Sequence, residues 1–293
     1  MRAELFSLTG ASNKAISAAQ ELLKDRGLTI LAKCRLREAL GLSYFRTGSY
    51  RAGAEEYEQG IRLAEANTAN LAACELRVGL FRNKIMWIGP YQAAAEVNQL
   101  RRRVHHAANP GLAIKFQVGL VELAAKLGLL RKARRHLNIA RELQATVDDR
   151  ALVATIGLTE VALTAAEGDL GRALELSLDL IEVAEESGSA SPMLALMNNL
   201  GHLLSAQARY SEAHRWINNA LETRRLGGGT EVALRDTLML LHVSKGDFGE
   251  ADNEAKRISA LLESPSEQDS FFGLWHVSVF SRKGPWLFKT LPP

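Results

Sequence analysis

Apolar residues along most of the chain recur at helical spacing, in pairs of segments separated by a short turn. Within residues 40–60, the bulky positions include Leu40, Tyr44 and Tyr57, and small residues stand between them. Apolar positions three to four residues apart are typical of an amphipathic helix. Because the two segments flank Gly48, the pattern predicts two antiparallel helices joined by a tight turn.

The same turn recurs at a nearly constant interval. With Gly48 as the marker, equivalent turns are predicted 38 to 41 residues apart, at Gly89, Gly128, Gly168, Ala208 and Gly246. Each marker is followed two positions on by an apolar residue and three further by a small one, in the pairs Tyr50/Gly53, Tyr91/Ala94, Leu130/Ala133, Leu170/Ala173, Tyr210/Ala213 and Phe248/Ala251. We interpret the small residue as the point where two helices approach closely. The fixed period predicts an all-α solenoid of six helical hairpins.

The two ends of the chain differ from the repeats. Residues 1–33 are predicted to form a leading half-repeat or N-terminal cap, and this start also fits a fragment of a longer protein. The six repeats occupy residues 34–263. Residues 264–293 lose the helical period and are rich in aromatic residues, so this tail is either a cap over the last repeat or a disordered or artificial segment.

Composition narrows the class of protein. The chain is 47% hydrophobic and 24% charged, with a net charge of only +3, which is typical of a soluble folded protein without a general preference for nucleic acid or membranes. No apolar run approaches the roughly 20 residues of a membrane-spanning helix. Cys34 and Cys74 occupy similar places in successive repeats, and we expect reduced core thiols in a cytoplasmic protein.

With these residues laid out, the chain resembles the tetratricopeptide repeat family. In the first repeat the family pattern is matched by Leu40, Gly41, Tyr44, Gly53, Tyr57 and Gly60, and in the fifth by Leu200, Gly201, Leu204, Ala213, Ile217 and Ala220. The period is near 40 residues where the common form has 34, and the usual closing proline is missing. Longer repeats of this kind are similar to those of kinesin light chain and of bacterial sensor and regulator domains.

The resemblance implies a right-handed superhelix whose first helices line a concave groove. In kinesin light chain, asparagines of a Leu-Asn-Asn-Leu-Ala motif bind an extended peptide there, and Met197-Asn198-Asn199-Leu200-Gly201 is similar to that motif. The family register places these candidates for peptide binding in the groove: Arg35, Arg46, Asn83, Lys115, Lys126, Asn198, Asn199 and His202, together with Glu38, Trp87, Glu122 and Asp236. The arginine and lysine side chains in the first half of the groove favour an acidic peptide as the bound partner.

A binding scaffold for a protein or peptide is therefore the predicted function, and a regulatory fragment of a larger signalling or transcription protein is the alternative. A second alternative is nucleic-acid binding, less favoured, through an outer basic patch of Arg101, Arg102, Arg103, Arg131, Lys132, Arg134 and Arg135. Aromatic residues for base stacking are missing around this patch. Because no Cys or His set has metal-ligand spacing and no catalytic constellation is present, we expect neither an enzyme nor a cofactor or metal.

Overall fold

The computed structural model describes residues 12–187, 190–222 and 228–262. The predicted aromatic tail at 264–293 lies outside these ranges. Within them, no helix is both long enough and apolar enough to cross a membrane.

The described part of the chain is built from helices. One helix, α1 (Ser12–Leu23), precedes the hairpins and packs against the first of them. The hairpins are α2 (Ile30–Arg46) with α3 (Tyr50–Ala66), α4 (Asn70–Trp87) with α5 (Pro90–Ala94) and α6 (Val97–Ala107), α7 (Pro110–Lys126) with α8 (Leu130–Gln144), α9 (Arg150–Ala166) with α10 (Leu170–Glu186), α11 (Ala190–Ala206) with α12 (Tyr210–Leu221), and α13 (Gly228–Lys245) with α14 (Phe248–Leu262). The prediction of an all-α solenoid of helical hairpins is confirmed.

The hairpins form two layers. The first helix of each hairpin contacts the first helix of the next, in the order α2, α4, α7, α9, α11 and α13. Among the described residues, the second helices make no contacts of comparable extent with one another. The first helices therefore form the inner, concave layer, and the second helices form the outer layer.

The marker residues of the predicted turns share a positive backbone φ. All six marker residues have a positive φ, namely +84° at Gly48, +93° at Gly89, +74° at Gly128, +95° at Gly168, +58° at Ala208 and +86° at Gly246. Glycine adopts this left-handed region at little cost, because it has no Cβ to collide with the following carbonyl group. Ala208 has a Cβ, so the fifth turn carries backbone strain that the other five avoid.

Two aspartates directly precede second helices and make different contacts. Asp169 accepts a hydrogen bond from the backbone N–H of Arg172 at 3.0 Å and thus caps α10. The carboxylate of Asp247, which precedes α14, binds Lys245 Nζ at 2.7 Å. That ion pair holds the pKa of Asp247 below its usual value.

Tyr57 is the largest residue buried between the first two repeats, with 2% of its surface exposed. Its ring lies between two glycines, and a Cβ on Gly41 would stand 2.7 Å from Tyr57 Cδ2, while one on Gly79 would stand 2.8 Å from Cε1. The Gly41 Cβ would also lie 3.0 Å from the backbone oxygen of Gly53. Both glycines thus provide the space that the aromatic ring fills.

The second hairpin departs from the pattern. Its second helix begins directly at Pro90, one residue earlier than in the other repeats, with Gly89 as the N-cap. Ala93 is consequently the fully buried small residue, whereas Ala94 is only half-buried and Tyr91 is 82% exposed. The predicted pair Tyr91/Ala94 is therefore wrong. The buried residues Ala93 and Leu100 nevertheless lie 40 residues after Gly53 and Gly60, although the helix is interrupted at residues 95–96 before α6 begins.

The two cysteines lie in the core as free, buried thiols. Cys34 Sγ approaches the backbone oxygen of Gly60 at 3.8 Å. Burial raises the pKa of both thiols, although neighbouring arginines oppose that effect. A protonated, buried thiol is a poor nucleophile, so both residues act as small core side chains.

The packing around Tyr57 makes Gly41→Ala a destabilising change. We expect a loss of about 1–3 kcal/mol in the free energy of unfolding, because the added methyl collides with the ring and with a backbone carbonyl. Urea unfolding followed by far-UV circular dichroism measures the effect. Gly171→Ala is the matched control, since its added Cβ would meet nothing nearer than 3.9 Å. Equal stability of the two variants would contradict the packing described for Tyr57.

The strain at the fifth turn predicts that Ala208→Gly stabilises the protein. Relief of the left-handed Cβ contact outweighs the extra entropy of glycine, for a net gain of about 1 kcal/mol. Ala195→Gly, at an exposed interior position of α11, serves as the control and should cost about 1 kcal/mol. Differential scanning calorimetry should show melting temperatures moving in opposite directions, and a lower melting temperature for Ala208→Gly would refute the prediction.

Candidate functional site

A cavity of about 590 Å³ lies on the concave layer. Residues of four consecutive first helices, α2, α4, α7 and α9, line it, and Pro192 and Ala195 extend it onto α11. Tyr57 reaches it from α3. The cavity is thus shared among five repeats, and none of them forms it alone.

The structure brings together half of the eight predicted groove residues. The cavity is lined by Arg46, Asn83, Lys115 and Lys126, and the additional candidates Glu38 and Glu122 also line it. The remaining predicted residues, Arg35, Asn198, Asn199 and His202, lie elsewhere, as do Trp87 and Asp236. The role of all these residues in binding a guest stays a prediction.

Arg35 faces a smaller depression of about 160 Å³ near the start of α2 and α4, which shares Glu38 and Glu75 with the main cavity. Trp87 lies at the end of α4, where its ring stands 6.3 Å from that of Phe45. Asp236 is half-buried on α13, and burial raises its pKa to about 6.

Arg82 lies on α4 at the position that Leu42 holds on α2, one residue after Phe81, which is the counterpart of Gly41. Its guanidinium donates to both carboxylate oxygens of Glu122, at 3.2 and 2.6 Å, across the boundary between α4 and α7. Gly119 makes room for the side chain, since a Cβ there would lie 2.9 Å from Arg82 Cγ. Burial alone would lower the pKa of Arg82, but Glu122 raises it above its usual value.

Asn83 and Tyr57 form a small polar group beside this pair. Asn83 Nδ2 donates to the backbone oxygen of Gly79 at 2.9 Å and approaches Tyr57 Oη at 3.5 Å. Within the described chain, Asn83 Oδ1 has no hydrogen bond, so it can accept one from a guest. Burial, as the main cause, raises the pKa of Tyr57, so its hydroxyl remains protonated.

Charge is unevenly distributed across the cavity. Four cations line it (Arg46, Arg82, Lys115 and Lys126) against three carboxylates (Glu38, Glu75 and Glu122). Arg46 and Lys126 stand in the last turns of α2 and α7, on the edge next to the interhelix turns. Burial lowers the pKa of both side chains, which shows that their charges are partly removed from water.

The part of the cavity on α9 is uncharged. It consists of Thr155, Leu158, Thr159, Ala162 and Leu163. The two threonine hydroxyls donate to backbone oxygens one turn earlier in the same helix, at 2.8 and 2.7 Å. This side of the cavity therefore offers mainly apolar contact area.

Asn198 and His202 belong to a different polar cluster, between α11 and α13. Thr237, which is 2% exposed, donates through Oγ1 to Asn198 Oδ1 at 2.7 Å and lies 2.8 Å from His202 Nε2. Burial lowers the pKa of His202 to about 4, so the neutral ring can donate to Thr237. The amide N–H groups of Asn198 remain available to a guest, whereas its oxygen is already bonded.

The predicted outer basic patch lies on α6 and α8. Arg101, Arg102, Arg103, Arg131, Lys132 and Arg135 are exposed, as predicted for an outer face. Arg134 differs, since it lies 3.7 Å from Glu160 and donates to Glu167 at 3.2 Å. The patch residues come from two neighbouring helices, and the pKa of His136 is lowered by burial and by Arg101 and Lys132.

Several lining residues were missed by sequence reasoning. Glu75, Thr155 and Thr159 stand on first helices at positions that face the cavity, and a strict inward register for every repeat would have found them. Nothing in the sequence distinguishes Thr237 from other polar residues, because its hydrogen bonding depends on the side chains of the preceding repeat. Arg82 and Glu122 are 40 residues apart, and this spacing of one repeat was the available signal for the ion pair.

Comparison with known proteins supports the fold at a coarse level. No family model matches the chain, and no curated protein matches it in sequence. Among solved structures, the chain is similar to NprR in complex with its cognate peptide NprX, with a TM-score of 0.58 and 11% identity, over 99% of this chain and 87% of that one. It is also similar to BtubC (BKLC) from P. vanneervenii, with a TM-score of 0.51 and 18% identity, over 74% of this chain and 89% of that one. The fold is that of a helical repeat protein.

The low pKa of His202 predicts a specific acid sensitivity. Because the ring is protonated more readily in the unfolded chain, stability is unaffected above about pH 6.5 and falls as the pH drops towards 4, by up to about 1.4 kcal/mol per unit. His202→Gln retains a donor for Thr237 without titrating and should remove this component. Imidazole resonances followed by NMR would report the pKa directly, and titration of His202 near 6.5 would contradict the burial described.

Proposed function

We propose that the chain is a binding scaffold for an extended peptide or partner segment, held in the concave cavity. The observation that carries the proposal is that one cavity runs across four consecutive first helices and contains both charged and apolar positions. An extended guest could contact each helix in turn, and such additive contacts are how solenoids bind linear segments.

The lining favours a particular guest chemistry. Lys115 is exposed, while Arg46 and Lys126 are half-buried, and all three cations line the cavity where a carboxylate of the guest would be attracted to them. Apolar side chains of the guest would lie on Leu158 and Ala162 of α9. We infer a guest that combines an acidic group with apolar residues, the former over repeats one to three and the latter over repeat four.

The proposed mechanism is reversible binding without a chemical step. Polar groups such as Asn83 Oδ1 are suited to the peptide backbone, whose N–H and C=O groups need partners when they leave water. We also propose that the chain is a tetratricopeptide repeat protein and that it is located in the cytoplasm. Two free buried thiols are consistent with a reducing compartment.

A regulatory role for the bound segment is the second candidate. It is favoured by the similarity to NprR, which was solved in complex with its cognate peptide NprX. In this form of the proposal, the chain senses a peptide and passes the signal to a further domain or partner.

A random dodecapeptide display library provides the test. Peptides selected on the wild-type protein should be enriched in Asp or Glu together with apolar residues. Fluorescence anisotropy should show at least tenfold weaker binding to Lys115→Glu, which reverses a charge in the cavity, and to Ala162→Glu, which places a charge on its apolar side.

The matched control is Arg51→Glu, an identical charge reversal at an exposed position of α3 outside the cavity, and its affinity should equal that of the wild type. Thermal melting confirms that each variant is folded. A library that yields no binders, or binders that ignore both cavity substitutions, would overturn the proposal.

A further inference from the structure

Asp236 of α13 lies at a concave position of the inner layer. It stands midway between Leu234 and Leu238, which are both buried in the core. Because positions two residues apart lie on nearly opposite sides of a helix, Asp236 points away from the core. The residues placed in the same way on α2 and α9 are Glu38 and Leu158, and both of them line the cavity.

The helix that carries Asp236 continues the inner layer beyond the cavity. The cavity ends on α11, and α13 packs against α11 as the next first helix. Thr237, which follows Asp236 in the chain, makes its hydrogen bonds across this boundary, to Asn198 and His202. Asn198 holds on α11 the position that Asp236 holds on α13, since each lies midway between two buried leucines. The two residues therefore extend the row of Leu158 past the end of the cavity.

The carboxylate of Asp236 has no partner within the described chain. It forms no hydrogen bond or ion pair there, and burial raises its pKa to about 6, so it is mostly ionised at neutral pH. The adjacent Arg235 is directed elsewhere, because its guanidinium binds Glu231 at 2.7 Å and Glu254 at 3.0 Å. His202 is neutral at this pH and supplies no positive charge. A half-buried negative charge is therefore left without compensation on the concave surface.

A cation without an ion pair stands on the other side of the apolar part of the cavity. Lys115 of α7 is exposed, lines the cavity and forms no ion pair with any described residue. Glu122 of the same helix is already bound by Arg82. The apolar residues Leu158 and Ala162 lie on α9, between α7 and α11. Along the inner layer the order is thus a cation on α7, apolar surface on α9, an amide on α11 and a carboxylate on α13.

We propose that Asp236 binds a lysine or arginine side chain of the peptide held on the concave layer, while Lys115 binds an acidic residue of the same peptide. The inference rests on the proposed function, because it requires an extended peptide in the concave cavity. A charged hydrogen bond from an ammonium or guanidinium group stabilises the ionised form of Asp236, which burial disfavours. The two charges together fix the direction in which the peptide lies across the repeats.

The packing of the first helices sets the distance between the two charges in the peptide. α13 follows α7 on the inner layer through α9 and α11, and neighbouring helices pack at about 8–10 Å between their axes. An extended chain covers about 3.3 Å per residue, so a span of roughly 24–30 Å corresponds to about seven to nine residues. A dodecapeptide is therefore long enough to reach both Lys115 and Asp236.

The free protein provides a test that needs no peptide. Because Asp236 is half-buried and lacks a partner, its charge destabilises the fold at neutral pH, and Asp236→Asn should melt at the same temperature as the wild type or higher. Asp179→Asn, the same change at an exposed position of α10, is the matched control and should leave the melting temperature unchanged. A lower melting temperature for Asp236→Asn than for the control would reveal an internal partner of the carboxylate and would overturn the proposal.

Dodecapeptides selected on the wild-type protein provide the binding test. Those that need Lys115 should carry Lys or Arg about seven to nine residues away from an Asp or Glu. Replacing that basic residue of the peptide by Gln should weaken binding to the wild type about tenfold, measured by fluorescence anisotropy, and should have little effect on binding to Asp236→Asn. Asp179→Asn should behave as the wild type with both peptides.

The outcomes separate this inference from the proposed function. Peptides that lose affinity for Lys115→Glu but bind Asp236→Asn as tightly as the wild type would overturn the role of Asp236 and leave the proposed function standing. The same conclusion follows if the change to Gln in the peptide weakens binding equally for the wild type and Asp236→Asn. A library that yields no binders would overturn both the proposed function and this inference.

Discussion

A helical hairpin leaves one apolar face uncovered, and in this protein the next hairpin covers it. Contact between successive first helices supplies that burial and determines which helices form the inner layer. The tight turns support it, because a residue with positive φ at each marker lets the chain reverse between the two helices. At Gly89-Pro90 the second helix begins one residue closer to the marker, and Ala93 is still buried 40 residues after Gly53.

The inner layer also explains the chemistry of the cavity. First helices that contact one another bring side chains from different repeats within hydrogen-bond distance, as Arg82 and Glu122 show. Thr237 joins Asn198 and His202 in the same way at a later boundary. These partners are about 40 residues apart in the chain, one repeat length, so the repeat itself places them together. The proposed binding site is therefore formed by several repeats together and by no single repeat alone.

The sequence was sufficient to place a residue in the cavity where the residue's own position on a first helix decides it, although the role of these residues in binding stays a prediction. Arg46, Asn83, Lys115 and Lys126 follow from the inward register of the first helices, and the cavity contains all four. Asn198 and His202 share that register, yet they lie outside it, because Thr237 engages both and the cavity ends on α11 at Pro192 and Ala195. Packing between repeats therefore decides which of the inward-facing residues line the same cavity.

The sequence by itself determined the helical hairpins, their period and the glycine turns, since these rest on local spacing and on backbone conformations that only certain residues adopt. Tertiary structure alone decided the broken second helix, the pairing of Arg82 with Glu122 and the extent of the cavity. Those features depend on side chains one repeat away.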